Sequence, residues 1–68
     1  MKNRLREIRV KKGISQAELF GRSGLWPSAV SFIERGFWNP RPEVKRRLAR
    51  ALHVKVTDLF PEDENGIN

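Results

Sequence analysis

The 68-residue sequence has no cysteine, no tyrosine, one methionine and one histidine. Without cysteine no disulfide can staple the chain, and with a single histidine beside it a standard structural zinc site is excluded. No apolar run approaches the ~20 residues that span a bilayer. The first residues carry charge at Lys2, Arg4, Arg6 and Glu7, and no apolar leader-like stretch follows. A cytoplasmic protein is the expectation. Acidic residues are also scarce outside the end of the chain. Residues 1–60 hold all 14 Lys and Arg against Glu7, Glu18, Glu34, Glu43 and Asp58, a balance of +9, whereas the whole chain carries +6. Such a body suits a polyanion, and nucleic acid is the usual one.

What is present is helical. Leu5 and Ile8 recur at helical spacing among charged residues, which predicts a first helix over about residues 2–12, ended by Gly13. Ser15 followed three residues later by Glu18 reads as a capping box, with Ile14 and Leu19 as its hydrophobic staple. This starts a second helix that runs to about Arg22, before a turn at Gly24. Pro27 suits the first position of a third helix ending near Arg35 and Gly36, although Trp26 before it offers no capping acceptor. Residues 36–41 read as a loop. A fourth helix opens at Pro42 and Glu43, with Val44, Leu48, Ala51 and Leu52 on one face and Lys45, Arg46, Arg47 and Arg50 covering the rest. A short fifth helix at about 56–60 supplies Val56, Leu59 and Phe60. Residues 1–60 form one domain, and residues 61–68 an acidic tail expected to be disordered. The fold class is all-α.

Catalysis lacks parts. His53 has no neighbouring nucleophile and suits the negative end of a helix dipole. Ser15, Ser23, Ser28 and Ser31 read as caps, turns or solvent-facing residues. The acidic residues lack calcium-loop spacing, and no glycine-rich phosphate loop follows a strand. No enzyme, cofactor, metal or membrane is expected.

Ser15-Gln16-x-x-Leu19, then Gly24, Val30, Ile33, Glu34 and Gly36, then Asn39-Pro40, resembles the lambda-repressor-like, Cro-type helix-turn-helix family over about residues 3–60. The resemblance implies a compact five-helix bundle in which helices two and three form the helix-turn-helix and helix three enters the DNA major groove. It implies that Gln16 meets a DNA phosphate at a helix N-terminus, that Val30 and Ile33 are core, and that Arg9 and Glu34 tie helix one to the end of helix three. It places base reading at Pro27, Ser28 and Phe32. It sets Phe37, Trp38 and Asn39 beside the DNA backbone, with Arg35 and Arg41 flanking.

The sequence departs from that pattern where reading would occur. Bases are read by bidentate groups such as Gln, Asn, Arg and Lys, and these positions hold a proline, a serine and a phenylalanine. Trp26 stands where a serine or threonine cap is usual, and Phe20 where a small residue lets helices two and three approach. At ~100° per residue, Phe32 falls about 130° from the mean direction of Val30 and Ile33 and shares its side with Ser28. Exposed together, Trp26, Phe32, Phe37 and Trp38 would form a patch of roughly 600 Å² or more, at the top of what monomers leave open. An aromatic centre with a rim at Arg22, Arg35 and Arg41 has the composition of a protein interface.

The expectation drawn from this is a protein-binding module, engineered on a repressor-type scaffold, that binds a protein partner through Phe20, Trp26, Pro27, Ser28, Phe32, Phe37 and Trp38. Such a chain would be a recombinant product. The alternative is a sequence-specific regulator binding duplex DNA through Gln16, Pro27, Ser28, Phe32, Arg35, Asn39 and Arg41. Self-association into a homodimer, aromatics packed on one another, and contact of Phe32 or Trp38 with thymine methyls or the minor groove are further readings.

Overall fold

The computed structural model describes residues 3–63. Its chain starts with an anchor that the periodicity does not reveal. Asn3 accepts the Leu5 N–H on Oδ1 at 3.0 Å and donates from Nδ2 to the Ile33 carbonyl at 2.8 Å. The next residue, Arg4, donates its N–H to the Leu59 carbonyl at 2.7 Å. The beginning of α1 (Leu5–Lys11) is thereby fastened to the third helix and to the fifth. On the outer face Arg4 donates to Glu7 at 3.0 Å, and that hydrogen bond holds the exposed Glu7 carboxyl below its ordinary pKa.

Gly13, at φ +71, ends α1 as expected. α2 (Gln16–Ser23) begins with the Ser15 hydroxyl accepting the Glu18 N–H at 3.0 Å. The Glu18 carboxylate, expected to return to Ser15, instead accepts from Arg22 Nη2 at 3.2 Å one turn on. Ile14 and Leu19 are both buried, as a staple requires. Ser23 is buried rather than solvent-facing. Its hydroxyl donates to the Leu19 carbonyl at 2.8 Å and accepts the Leu25 N–H at 3.2 Å. The end of α2 and the start of the turn are thus tied through one side chain.

α3 (Pro27–Glu34) follows with Pro27 in its first turn and no side-chain cap from Trp26. α4 (Pro42–Leu52) ends on His53, which takes the left-handed cap at φ +58, and α5 (Val56–Leu59) is capped by Asp58 accepting the Lys55 N–H at 2.9 Å. Pro61–Asp63 form one 3-10 turn. Of the tail expected to be disordered, residues 64–68 lie outside the described residues. Among the described residues there is no strand, and no helix is long and apolar enough to cross a membrane.

The five helices enclose one core of Leu5, Ile8, Ile14, Leu19, Leu25, Val30, Ile33, Leu48, Leu52, Leu59 and Phe60, with Ala49 and Ala51 filling between. The basic face expected of α4 needs correction at one position. Lys45 is 2 % exposed, and its ammonium lies 5.0 Å from the centroid of the Phe60 ring. Its aliphatic stem is core material, and its charge meets the negative face of an aromatic ring. Arg46, Arg47 and Arg50 are exposed as expected.

Gly24 is where the backbone leaves no choice. It sits at φ +80 in the turn between α2 and α3, and a Cβ there would come 3.3 Å from Arg47 Nη2. Gly24→Ala should cost ~1–2 kcal/mol, most of it from left-handed backbone geometry. Urea unfolding monitored by circular dichroism should show a lowered midpoint with an unchanged slope.

Candidate nucleic-acid interface

Two helices and the loop after them present the residues singled out by sequence. α2 and α3 pack across the Gly24 turn through Leu19, Leu25, Val30 and Ile33, all buried. The side of α3 turned away from those residues carries Ser28 and Phe32, one helical turn apart and both exposed. Pro27 is half-buried. Past the helix, Arg35, Phe37, Trp38, Asn39 and Arg41 are exposed, while Pro40 is buried and pins the loop.

The Arg9–Glu34 pair is the polar centre of the arrangement. Arg9 Nε donates to Glu34 Oε2 at 2.6 Å and Nη2 to Oε1 at 3.3 Å, while Nη1 donates to the Ile14 carbonyl at 2.7 Å. The Glu34 side chain is 2 % exposed. One guanidinium therefore ties α1 to the last residue of α3 and to the backbone just before α2. Gln16 joins the same network, donating from Nε2 to Glu34 Oε1 at 3.2 Å. A glutamine at the first position of α2 is thus held in place with its second Nε2 hydrogen left to donate.

The aromatic residues contact one another in two ring pairs. Phe20 is half-buried and stacks on Trp26 with centroids 4.9 Å apart and planes 17° from parallel. This pair lies over the helix-turn-helix turn, so Phe20 does not wedge α2 and α3 apart. Phe32 meets Phe37 edge to face at 6.3 Å, and the Arg35 guanidinium carbon sits 5.5 Å and 5.1 Å from the two ring centroids. Trp26 and Phe32 are six residues apart, about 9 Å along the helix axis. Trp26 remains 67 % exposed, Phe32 48 % and Phe37 72 %. The rim expected at Arg22 is not there. Arg22 pairs with Glu18 and reaches the Ala51 carbonyl at 3.4 Å, on the α4 side. With Arg47 and Arg50 it lines a surface groove of about 420 Å³. Arg22 and Arg50 stand in the last turns of α2 and α4, where the negative ends of the helix dipoles favour a cation.

Residues 5–59 match the helix-turn-helix family HTH_3. The chain belongs to this helix-turn-helix family. An uncharacterized HTH-type transcriptional regulator of Archaeoglobus fulgidus is 34 % identical over 67 residues, covering 98 % of this chain and 96 % of the relative. Among solved structures, the clp gene regulator ClgR from C. glutamicum aligns with a TM-score of 0.77 and 30 % identity over 94 % of this chain and 83 % of its own. A hypothetical transcription factor, NHTF, from Neisseria aligns with a TM-score of 0.73 and 34 % identity, over 94 % and 76 %. The five-helix fold and the Cro-type family resemblance are therefore as the sequence indicated.

The expectation of an engineered protein-binding module is overturned by these relatives. Similarity to an HTH-type transcriptional regulator covers 98 % of this chain, and the helix-turn-helix family match spans residues 5–59. The physical argument for a protein partner assumed a continuous exposed aromatic centre. Here Phe20 and Trp26 stack on each other and Arg35 lies over Phe32 and Phe37, so the rings are partly engaged within the chain although Trp26, Phe32, Phe37 and Trp38 are exposed as expected. Family helix-turn-helix members named as transcriptional regulators, rather than enzymes, are what the chain is similar to.

Proposed function

We propose that this chain is a transcriptional regulator that binds duplex DNA sequence-specifically. α3 is presented to the major groove with Pro27, Ser28 and Phe32 toward the bases. Gln16 meets a phosphate at the start of α2, and Arg35, Asn39 and Arg41 lie along the backbone. The family match over residues 5–59 carries this reading. The +9 charge of residues 1–60 supports it, because a cationic body gains from releasing the counterions of DNA. The exposed Ser28, Asn39 and Arg41 have no competing partner role in the core.

A site selected from a random duplex pool, followed by fluorescence anisotropy at several salt concentrations, tests it. Log K should fall linearly with log salt, by ~0.9 per neutralised phosphate. Arg41→Ala should weaken binding to all sequences alike and lower that slope by about 1. Sedimentation on the selected site counts the copies bound. A chain that binds no duplex more tightly than random competitor DNA does not have this function.

A further inference from the structure

The surface of α3 that carries Ser28 and Phe32 has very little hydrogen-bonding capacity. Pro27 has neither a polar side chain nor a backbone N–H, and Ser28 supplies a single hydroxyl. The nearby Arg35 guanidinium stands over two phenyl rings. Phe32 itself is half in solvent, with Phe37 edge to face at 6.3 Å and the Arg35 guanidinium carbon 5.5 Å from its centroid, contacts that bias the orientation of its ring.

A base pair pressed against that ring meets hydrocarbon. Guanine offers O6 and N7 acceptors in the major groove, cytosine an N4 donor, and adenine N7 and an N6 donor. Against the ring itself each would lose water without a polar partner, which is costly, while the Arg35 guanidinium beside it is engaged with the faces of the two rings. Thymine alone presents an apolar group there, its C5-methyl. We propose that Phe32, positioned by Phe37 and Arg35, selects binding sites through the C5-methyl group of thymine, so that α3 reads a methyl at this position in place of a hydrogen-bond pattern. This rests on the DNA-binding reading above and names the chemical group it recognises.

The test begins with a site selected from a random duplex pool, then replaces each thymine singly by deoxyuridine, which lacks only the methyl. At one or more thymines of the selected site, the wild-type chain should lose about fourfold in affinity, equivalent to the ~0.8 kcal/mol of one buried methyl-sized group. Phe32→Ala should bind the thymine and uracil versions of that position equally. Phe32→Leu, still apolar, should keep part of the discrimination, and circular dichroism checks that both variants fold. Uracil tolerated at every position of a selected site would overturn the proposal and leave DNA binding intact. So would thymine discrimination that survives Phe32→Ala at every position. Failure to select any site over competitor DNA removes both the proposal and the function beneath it.

Discussion

Replacing Glu34 by alanine should cost the domain ~3–5 kcal/mol, the range for removing one partner of a buried ion pair. The reason is what stays behind. Arg9, whose side chain is about as buried as that of its partner, would keep one bond to the Ile14 carbonyl and lose both bonds to the carboxylate. Gln16 would lose its anchor in the same step. A 68-residue chain has on the order of 3–10 kcal/mol of net stability in all. The melting temperature, read by circular dichroism, should therefore drop by roughly 15 °C or more. Arg9→Met combined with Glu34→Leu should recover much of the loss, because no buried charge then lacks a partner. A double variant as unstable as Glu34→Ala would show that the pair is needed for its own attraction.

Leu19→Ala is expected to be of similar size, ~2.7–5 kcal/mol, for a different reason. Leu19 is fully buried, and it sits on the helix that packs against both α3 and α4. Removing its methyl groups leaves a cavity at the centre of the helix-turn-helix. The cost depends on whether Leu25, Val30 and Leu48 can close around it. Denaturant unfolding should show a large fall in midpoint. If the loss is under ~1 kcal/mol, the centre of this small core relaxes far more than close-packed interiors do.

Local signals carried most of the fold into the sequence. The Ser15 cap, the Ile14–Leu19 staple and the glycines at 13, 24 and 36 act within a few residues, and each glycine does sit at positive φ. The Arg9–Glu34 pair came from family resemblance, since nothing local joins residues 25 apart. Asn3 was invisible for the same reason, because its partner is the carbonyl of Ile33, 30 residues away. Lys45 looked like one more surface cation. Its burial depends on Phe60, which belongs to a stretch beyond the next helix. Among the aromatics, the exposure of Trp26, Phe32, Phe37 and Trp38 is legible in the sequence and their ring contacts are not. Helical angles correctly turned Phe32 outward, but they say nothing about Trp26 lying on Phe20 across a turn, or about Arg35 folding back over Phe32 and Phe37. Exposure in a periodicity argument is not the same as vacancy in three dimensions.

The Gln16–Glu34 hydrogen bond gives the interface a preorganised end. A free glutamine on a helix surface must surrender rotamer freedom when it grips a ligand, at roughly 0.5–1.5 kcal/mol per side chain. Here the bond to Glu34 already restricts that freedom, ahead of the phosphate contact proposed for Gln16. The same carboxylate that closes the domain thus sets the posture of a surface residue. Damage to α1 that loosens Arg9 should therefore lower affinity for a selected duplex by a few fold as well as lowering the melting temperature.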